Sequence, residues 1–153
     1  MMTPRKGIHI LPSLFTTGNV FCGFYSFIAA LNDKYFLAAW AIVFAIIFDV
    51  LDGRIARMTK TTSAFGMQYD SLADVISFGM APAFLCYAWI LKPFGRVGWM
   101  AACLYLLCSA LRLARFNTTK PDIQGQYFIG LATPAAAAVI ASIIIAFEDL
   151  FGS

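Results

Sequence analysis

Charge is what this sequence has least of. Only 12% of its 153 residues are Asp, Glu, Lys or Arg, against about 25% in a soluble domain. A chain this poor in ionic groups cannot cover a water-exposed surface, and a mean hydropathy of +0.78 agrees. The formal net charge of +3 is too small to point to nucleic acid, and no nucleic-acid partner is expected. Histidine occurs once, as His9, close to Arg5 and Lys6; it reads as an interfacial residue rather than a ligand. The four cysteines, Cys22, Cys86, Cys103 and Cys108, all lie in apolar stretches with no CxxC spacing. Reduced packing or lipid-facing thiols are expected, not a metal site. A cleavable signal peptide is not expected, because the apolar run after Lys6 is too long and has no small-residue cleavage site. Internal repeats and low-complexity tracts are absent.

Apolar runs of bilayer-spanning length take the place of the missing polarity. Five can be drawn, at about 11–31, 35–57, 65–91, 97–115 and 127–147. A transmembrane helix needs roughly 20 such residues, and irregular backbone is excluded from lipid. The expectation is therefore an all-α, polytopic transmembrane bundle forming one membrane-embedded domain over 1–153. Residues 1–10, with Ile8 and Ile10 beside the basic pair, suit a short N-terminal interfacial helix. Arg5, Lys6, Arg54, Arg57, Lys60, Arg112, Arg115 and Lys120 fall on one side of the bundle, and only Lys34, Lys92 and Arg96 on the other. The positive-inside rule then places the N-terminus and the second and fourth turns in the cytoplasm.

The chemistry sits at the end of the second run and the start of the third. Ionisable residues inside membrane helices are costly, and they mark function by default. Here four carboxylates occur together: Asp49 and Asp52, then Asp70 and Asp74. At 3.6 residues per turn, Asp49, Asp52, Gly53, Ala56 and Arg57 share one face. Gly66, Asp70, Asp74 and Ser77 form one stripe of the next helix. The short intervening turn makes these two helices antiparallel neighbours whose polar faces can meet. Four converging carboxylates repel one another, and divalent cations remove the repulsion. Oxygen donors favour Mg²⁺, Mn²⁺ or Ca²⁺, and a pair of such ions can clamp a phosphoryl group. Gly53, Ala56 and Gly66 leave room for a bulky anion to approach the backbone, and Arg57 can grip phosphate through two parallel hydrogen bonds.

Written as a string, 49–74 is D-x2-D-G-x2-A-R-x8-G-x3-D-x3-D. This pattern of eight fixed residues resembles the signature of the CDP-alcohol phosphotransferases. Further blocks resemble the phosphatidylserine synthase branch of that family. They are Leu11–Asn19, Phe21–Phe24, Tyr69–Pro82, Ala110–Asn117 and Gly130–Ala137, the last departing where Ala132 replaces a customary proline. The resemblance implies metal-dependent transfer of a phosphatidyl group from CDP-diacylglycerol to L-serine, with release of CMP. It implies two divalent ions, Mg²⁺ or Mn²⁺, with Ca²⁺ able to occupy the site. In the roles it implies, Asp49, Asp52, Asp70 and Asp74 ligate metal, and Asp74 is also the general base. Gly53, Ala56, Arg57 and Gly66 line the CDP site, with Asn19 and Thr16 as weaker contributors. It further implies a homodimer among membrane lipids, and a six-helix core of which five are visible here, so either truncation at the C-terminus or an unusually short member is expected.

The acceptor and lipid site is expected where the fourth and fifth helices reach the cytoplasm, at Arg112, Arg115 and Asn117. The two arginines also fit plain positive-inside anchors. Two other functions stay open at this point. One is the same chemistry with glycerol 3-phosphate or an inositol phosphate as acceptor. The other is a small cation transporter, which leaves Gly53, Ala56, Arg57 and Gly66 without a purpose.

Overall fold

Lipid offers backbone groups no partner except one another, and the chain answers with helix. The computed structural model describes residues 10–60, 63–118 and 133–152, with no strand among them. Five helices lie among the described residues: α1 (Ile10–Leu31), α2 (Tyr35–Thr59), α3 (Ala64–Phe94), α4 (Arg96–Thr118) and α5 (Thr133–Phe151). Each is long and apolar enough to cross a membrane. The chain is thus a multi-pass integral membrane protein of the expected all-α class. His9, Lys120, the expected interfacial helix and residues 127–132 of the fifth run lie outside the described residues.

Local chemistry sets the helix boundaries. Asp33 and Lys60 adopt left-handed backbone, with φ of 57° and 51°, and this stops α1 and α2. Ser63 opens α3, its Oγ accepting a hydrogen bond from the Gly66 amide at 3.0 Å, a side-chain cap on an otherwise orphan donor. The turn expected over 92–96 narrows to Gly95, because Lys92–Phe94 join α3 as a single 3₁₀ turn.

Small residues hold the bundle together. The core is mostly alanine, including Ala38, Ala39 and Ala45 of α2 and Ala137 and Ala141 of α5. In lipid there is no hydrophobic gain from contact between helices, so close van der Waals approach must supply the stability. The alanine run after Thr133 serves this purpose. Ser26 adds a polar tie, its Oγ donating to the Ala38 carbonyl at 2.8 Å. Large side chains such as Phe21, Val97, Leu104 and Leu111 point outward, as lipid requires. Cys103 and Cys108 are exposed while Cys22 and Cys86 are half-buried, and all four are free thiols.

α1 packs along α2 and also against the first half of α3. α2 and α3 meet at Ala81–Cys86 but hardly approach each other around Ala64–Asp74. The two aspartate-bearing stretches therefore diverge, with α1 packed against both. Simple neighbouring antiparallel helices were expected; the structure opens them into a wedge.

α3 is not a uniform α-helix. It widens into π-helical turns at Val75–Met80 and Tyr87–Leu91. Pro82 gives a physical reason for the first. A proline inside a helix cannot donate to the carbonyl four residues back, and its ring crowds that group. The carbonyl concerned belongs to Phe78, and Tyr105 of α4 donates its hydroxyl to it at 3.0 Å. A neighbouring helix thereby supplies the hydrogen bond that proline removes. Tyr105→Phe is expected to lower stability by about 1–2 kcal/mol, seen as a reduced thermal midpoint of the detergent-solubilised protein.

Candidate active site

The wedge between α2 and α3 holds the acidic residues. Asp49 projects from α2, and Asp70 and Asp74 from successive turns of α3. One carboxylate oxygen from each lies within 4.8 Å of the others. All three are half-buried. Asp52, one turn beyond Asp49, is only 5% exposed. It lies beside Asp70 and accepts a hydrogen bond from the Thr16 hydroxyl of α1. Three of the four expected ligands thus form one cluster, and the fourth adjoins it with its carboxylate engaged by α1.

The cluster contains unfinished bonding. One Oδ1 of Asp70 and one of Asp74 are buried with no hydrogen-bond partner. Burying a carboxylate oxygen without a partner is expensive, and a hard divalent cation is the partner such oxygens accept. Several oxygens and no sulfur or imidazole make a donor set suited to Mg²⁺, Mn²⁺ or Ca²⁺ rather than a softer metal. The residues present therefore fit a divalent cation.

The remaining expected residues surround this cluster in different ways. A Cβ placed on Gly53 would meet nothing within 4 Å, so this glycine is not required by packing and leaves open space beside Asp52. Gly66 differs, since its Cβ would lie 3.0 Å from Ser63 Oγ, where the α3 cap forms. Ala56 is half-buried and Arg57 exposed, one turn and more beyond Asp52 on the same helix. Asn19 of α1 is wholly buried, and neither of its amide atoms has a partner. It lies beside the Asp74 carboxyl.

α4 brings its C-terminal end to the same region. Asn117 Nδ2 donates to Ser71 Oγ at 2.8 Å, tying this end of α4 to the residue that follows Asp70. Arg112 is half-buried and Arg115 exposed on the preceding turns. Two further ties escaped the sequence reading of the site. Ser77 Oγ donates to the Asn19 carbonyl at 2.9 Å, and Thr17 Oγ1 and Tyr69 OH are hydrogen-bonded at 3.0 Å. Hydroxyl residues at helical spacing from the aspartates are the available signal, but spacing does not say which helix they bind.

A sequence model of CDP-alcohol phosphatidyltransferases matches residues 9–152. The chain belongs to the CDP-alcohol phosphatidyltransferase family. Among curated members, a CDP-diacylglycerol–serine O-phosphatidyltransferase of Helicobacter pylori is 42% identical over 137 residues, which cover 90% of this chain and 58% of the relative. One from Mycobacterium leprae is 39% identical over 142 residues, covering 90% and 47%. An archaetidylserine synthase of Methanothermobacter thermautotrophicus is 37% identical over 146 residues, covering 93% and 61%. The chain thus spans roughly half to three-fifths of the length of these family members.

Proposed function

We propose that this family member transfers a phosphatidyl group from CDP-diacylglycerol to the hydroxyl of L-serine, giving phosphatidylserine and CMP. The observation that carries the proposal is the cluster of Asp49, Asp70 and Asp74, with mutual oxygen distances within 4.8 Å. Those residues belong to an eight-position motif that this family shares. Relatives named for serine transfer support the choice of acceptor.

In this reading Asp49, Asp52, Asp70 and Asp74 hold two divalent ions, Mg²⁺ or Mn²⁺. When bound, such ions neutralise diphosphate charge and stabilise the oxygen leaving with CMP. Asp74 accepts the proton of the serine hydroxyl. The serine oxygen then bonds to the phosphorus that bears diacylglycerol, and the bond from that phosphorus to the CMP oxygen breaks. Gly53 and Gly66 let the nucleotide approach the backbone, Ala56 keeps that face low, and Arg57 grips a phosphate through its fork of donors. Thr16 and Asn19 line the inner wall. Arg112, Arg115 and Asn117 receive the serine carboxylate and the lipid phosphate. Holding the reactants in register and matching charge supply most of the rate in phosphoryl transfers of this kind. The excess of lysine and arginine at the aspartate end supports a cytoplasmic site and N-terminus, and the family resemblance supports a homodimer. In a prokaryote the host membrane is the inner or plasma membrane.

The deciding assay incubates purified protein with CDP-diacylglycerol, Mn²⁺ or Mg²⁺, and serine, glycerol 3-phosphate, inositol or inositol phosphate in turn. The expected result is CMP and phosphatidylserine with serine alone. Product only with another alcohol moves the acceptor assignment within the family. No CMP with any acceptor would overturn the proposal.

A further inference from the structure

α1 carries no acidic residue, yet it touches both halves of the acidic cluster. Thr16 donates to Asp52. One turn on, Asn19 lies beside Asp74. Asn19 is 0% exposed, and its Nδ2 and Oδ1 both lack hydrogen-bond partners. Buried amides nearly always find partners. An orphaned one lowers stability, and an apolar group of the same shape would remove that cost.

The backbone around Asn19 is locked to the helix that carries Asp74. Ser77, three residues past Asp74, donates its hydroxyl to the Asn19 carbonyl at 2.9 Å. One turn further along α1, Gly23 lies against Ser77, and a Cβ there would come within 2.9 Å of the Ser77 Cα. α1 and α3 therefore touch backbone to backbone at the π-helical turn that follows Asp74. This lock fixes the Asn19 backbone relative to the helix that carries Asp74.

We propose that Asn19 is a positioning residue for Asp74: its Nδ2 donates to one carboxylate oxygen and so aims the other into the acidic cluster. This deepens the reading of the cluster as a metal-holding transfer site and rests on it. It also changes the expected role of Asn19, which acts on the aspartate and not on the nucleotide. Thr16 does for Asp52 what Asn19 does for Asp74. One helix without a carboxylate of its own thus orients a carboxylate on each of its two neighbours.

The test is Asn19→Leu, which keeps the branched four-atom side-chain skeleton and removes both polar amide atoms. Mn²⁺ binding to the purified protein, without lipid or serine, is followed by the electron paramagnetic resonance of free Mn²⁺. The variant is expected to bind Mn²⁺ about tenfold more weakly, the loss typical when a ligand's supporting partner is removed. Its thermal midpoint should change little, because removal of the unpartnered Oδ1 offsets loss of the Nδ2 donation. With CDP-diacylglycerol and serine, kcat should fall while the KM for CDP-diacylglycerol stays within about twofold, since uniform binding is untouched. Ser77→Ala, which loosens the lock but keeps the amide, should weaken Mn²⁺ binding in the same direction and to a smaller extent. Unchanged Mn²⁺ affinity with a raised KM for CDP-diacylglycerol would overturn the proposal in favour of a nucleotide contact. Unchanged Mn²⁺ affinity with a lowered thermal midpoint would overturn it in favour of a packing role. Mn²⁺ binding is read without substrates, so a wild-type protein that binds Mn²⁺ but makes no phosphatidylserine would count against the serine reading alone.

Discussion

Asp74→Asn is expected to lower CMP release from CDP-diacylglycerol and serine by about 10³-fold or more. Asparagine keeps the shape of the side chain and both of its branch atoms, so the packing against α1 survives. It cannot take up a proton. General base catalysis alone contributes about 10²–10⁴-fold, and the substitution also removes one anionic oxygen from the cluster of Asp49, Asp70 and Asp74. The two losses act in the same direction. Binding of CDP-diacylglycerol should persist within a few fold, because Gly53, Arg57 and Gly66 are untouched. Near-normal turnover in this variant would remove Asp74 from the role of base, whatever the other aspartates do.

Asp49→Ala should show a different defect. Asp49 is the only α2 residue in the three-carboxylate cluster, so its removal leaves Asp52 as the sole α2 ligand, with one of its oxygens already bonded to Thr16. A divalent ion would then be held across the wedge by that one remaining α2 oxygen. Mn²⁺ affinity should fall by more than about 100-fold, beyond what loss of a merely supporting partner costs. Nucleotide-lipid binding that depends on the metal should go with it. Chelation of the wild-type protein should reproduce the same loss, with recovery when Mn²⁺ or Mg²⁺ is restored. Retention of metal-dependent nucleotide binding in Asp49→Ala would show that the cation is held elsewhere.

Much of the architecture was visible in the order of residues because lipid narrows the choices. Runs such as 35–57 and 97–115 can only be helices there, and they extend to Tyr35–Thr59 and Arg96–Thr118. The aspartates were legible for a related reason: an ionised group in a membrane helix has few explanations. What the residue order could not show was the part played by α1. Thr16 and Asn19 look like ordinary polar spots on an apolar helix, and periodicity gives no reason to place them against Asp52 and Asp74. The wedge between α2 and α3 was hidden as well, since it depends on how α1 packs against both. The π-helical turn at Val75–Met80 escaped because it arises from a tertiary bargain. Pro82 vacates the Phe78 carbonyl, and Tyr105, more than twenty residues later, supplies the missing donor. The proline is readable; its rescuer is not.

The lengths of α2 and α3 have a consequence for where along the membrane normal the reaction runs. At 1.5 Å per residue, helices of 25 and 31 residues extend about 37 and 46 Å. The hydrocarbon layer is only about 30 Å thick. Both helices therefore overshoot it, by about 7 and 16 Å, and Arg57 lies in the last turn of α2 while Gly66 and Asp70 lie in the first two turns of α3. Under the proposed cytoplasmic placement of this end, the acidic cluster sits near the depth of the lipid phosphates. In the proposed reaction a lipid-linked nucleotide is presented there with its acyl chains still in oil and its cytidine in water. A soluble alcohol can enter and a freed nucleotide can leave without crossing any part of the bilayer.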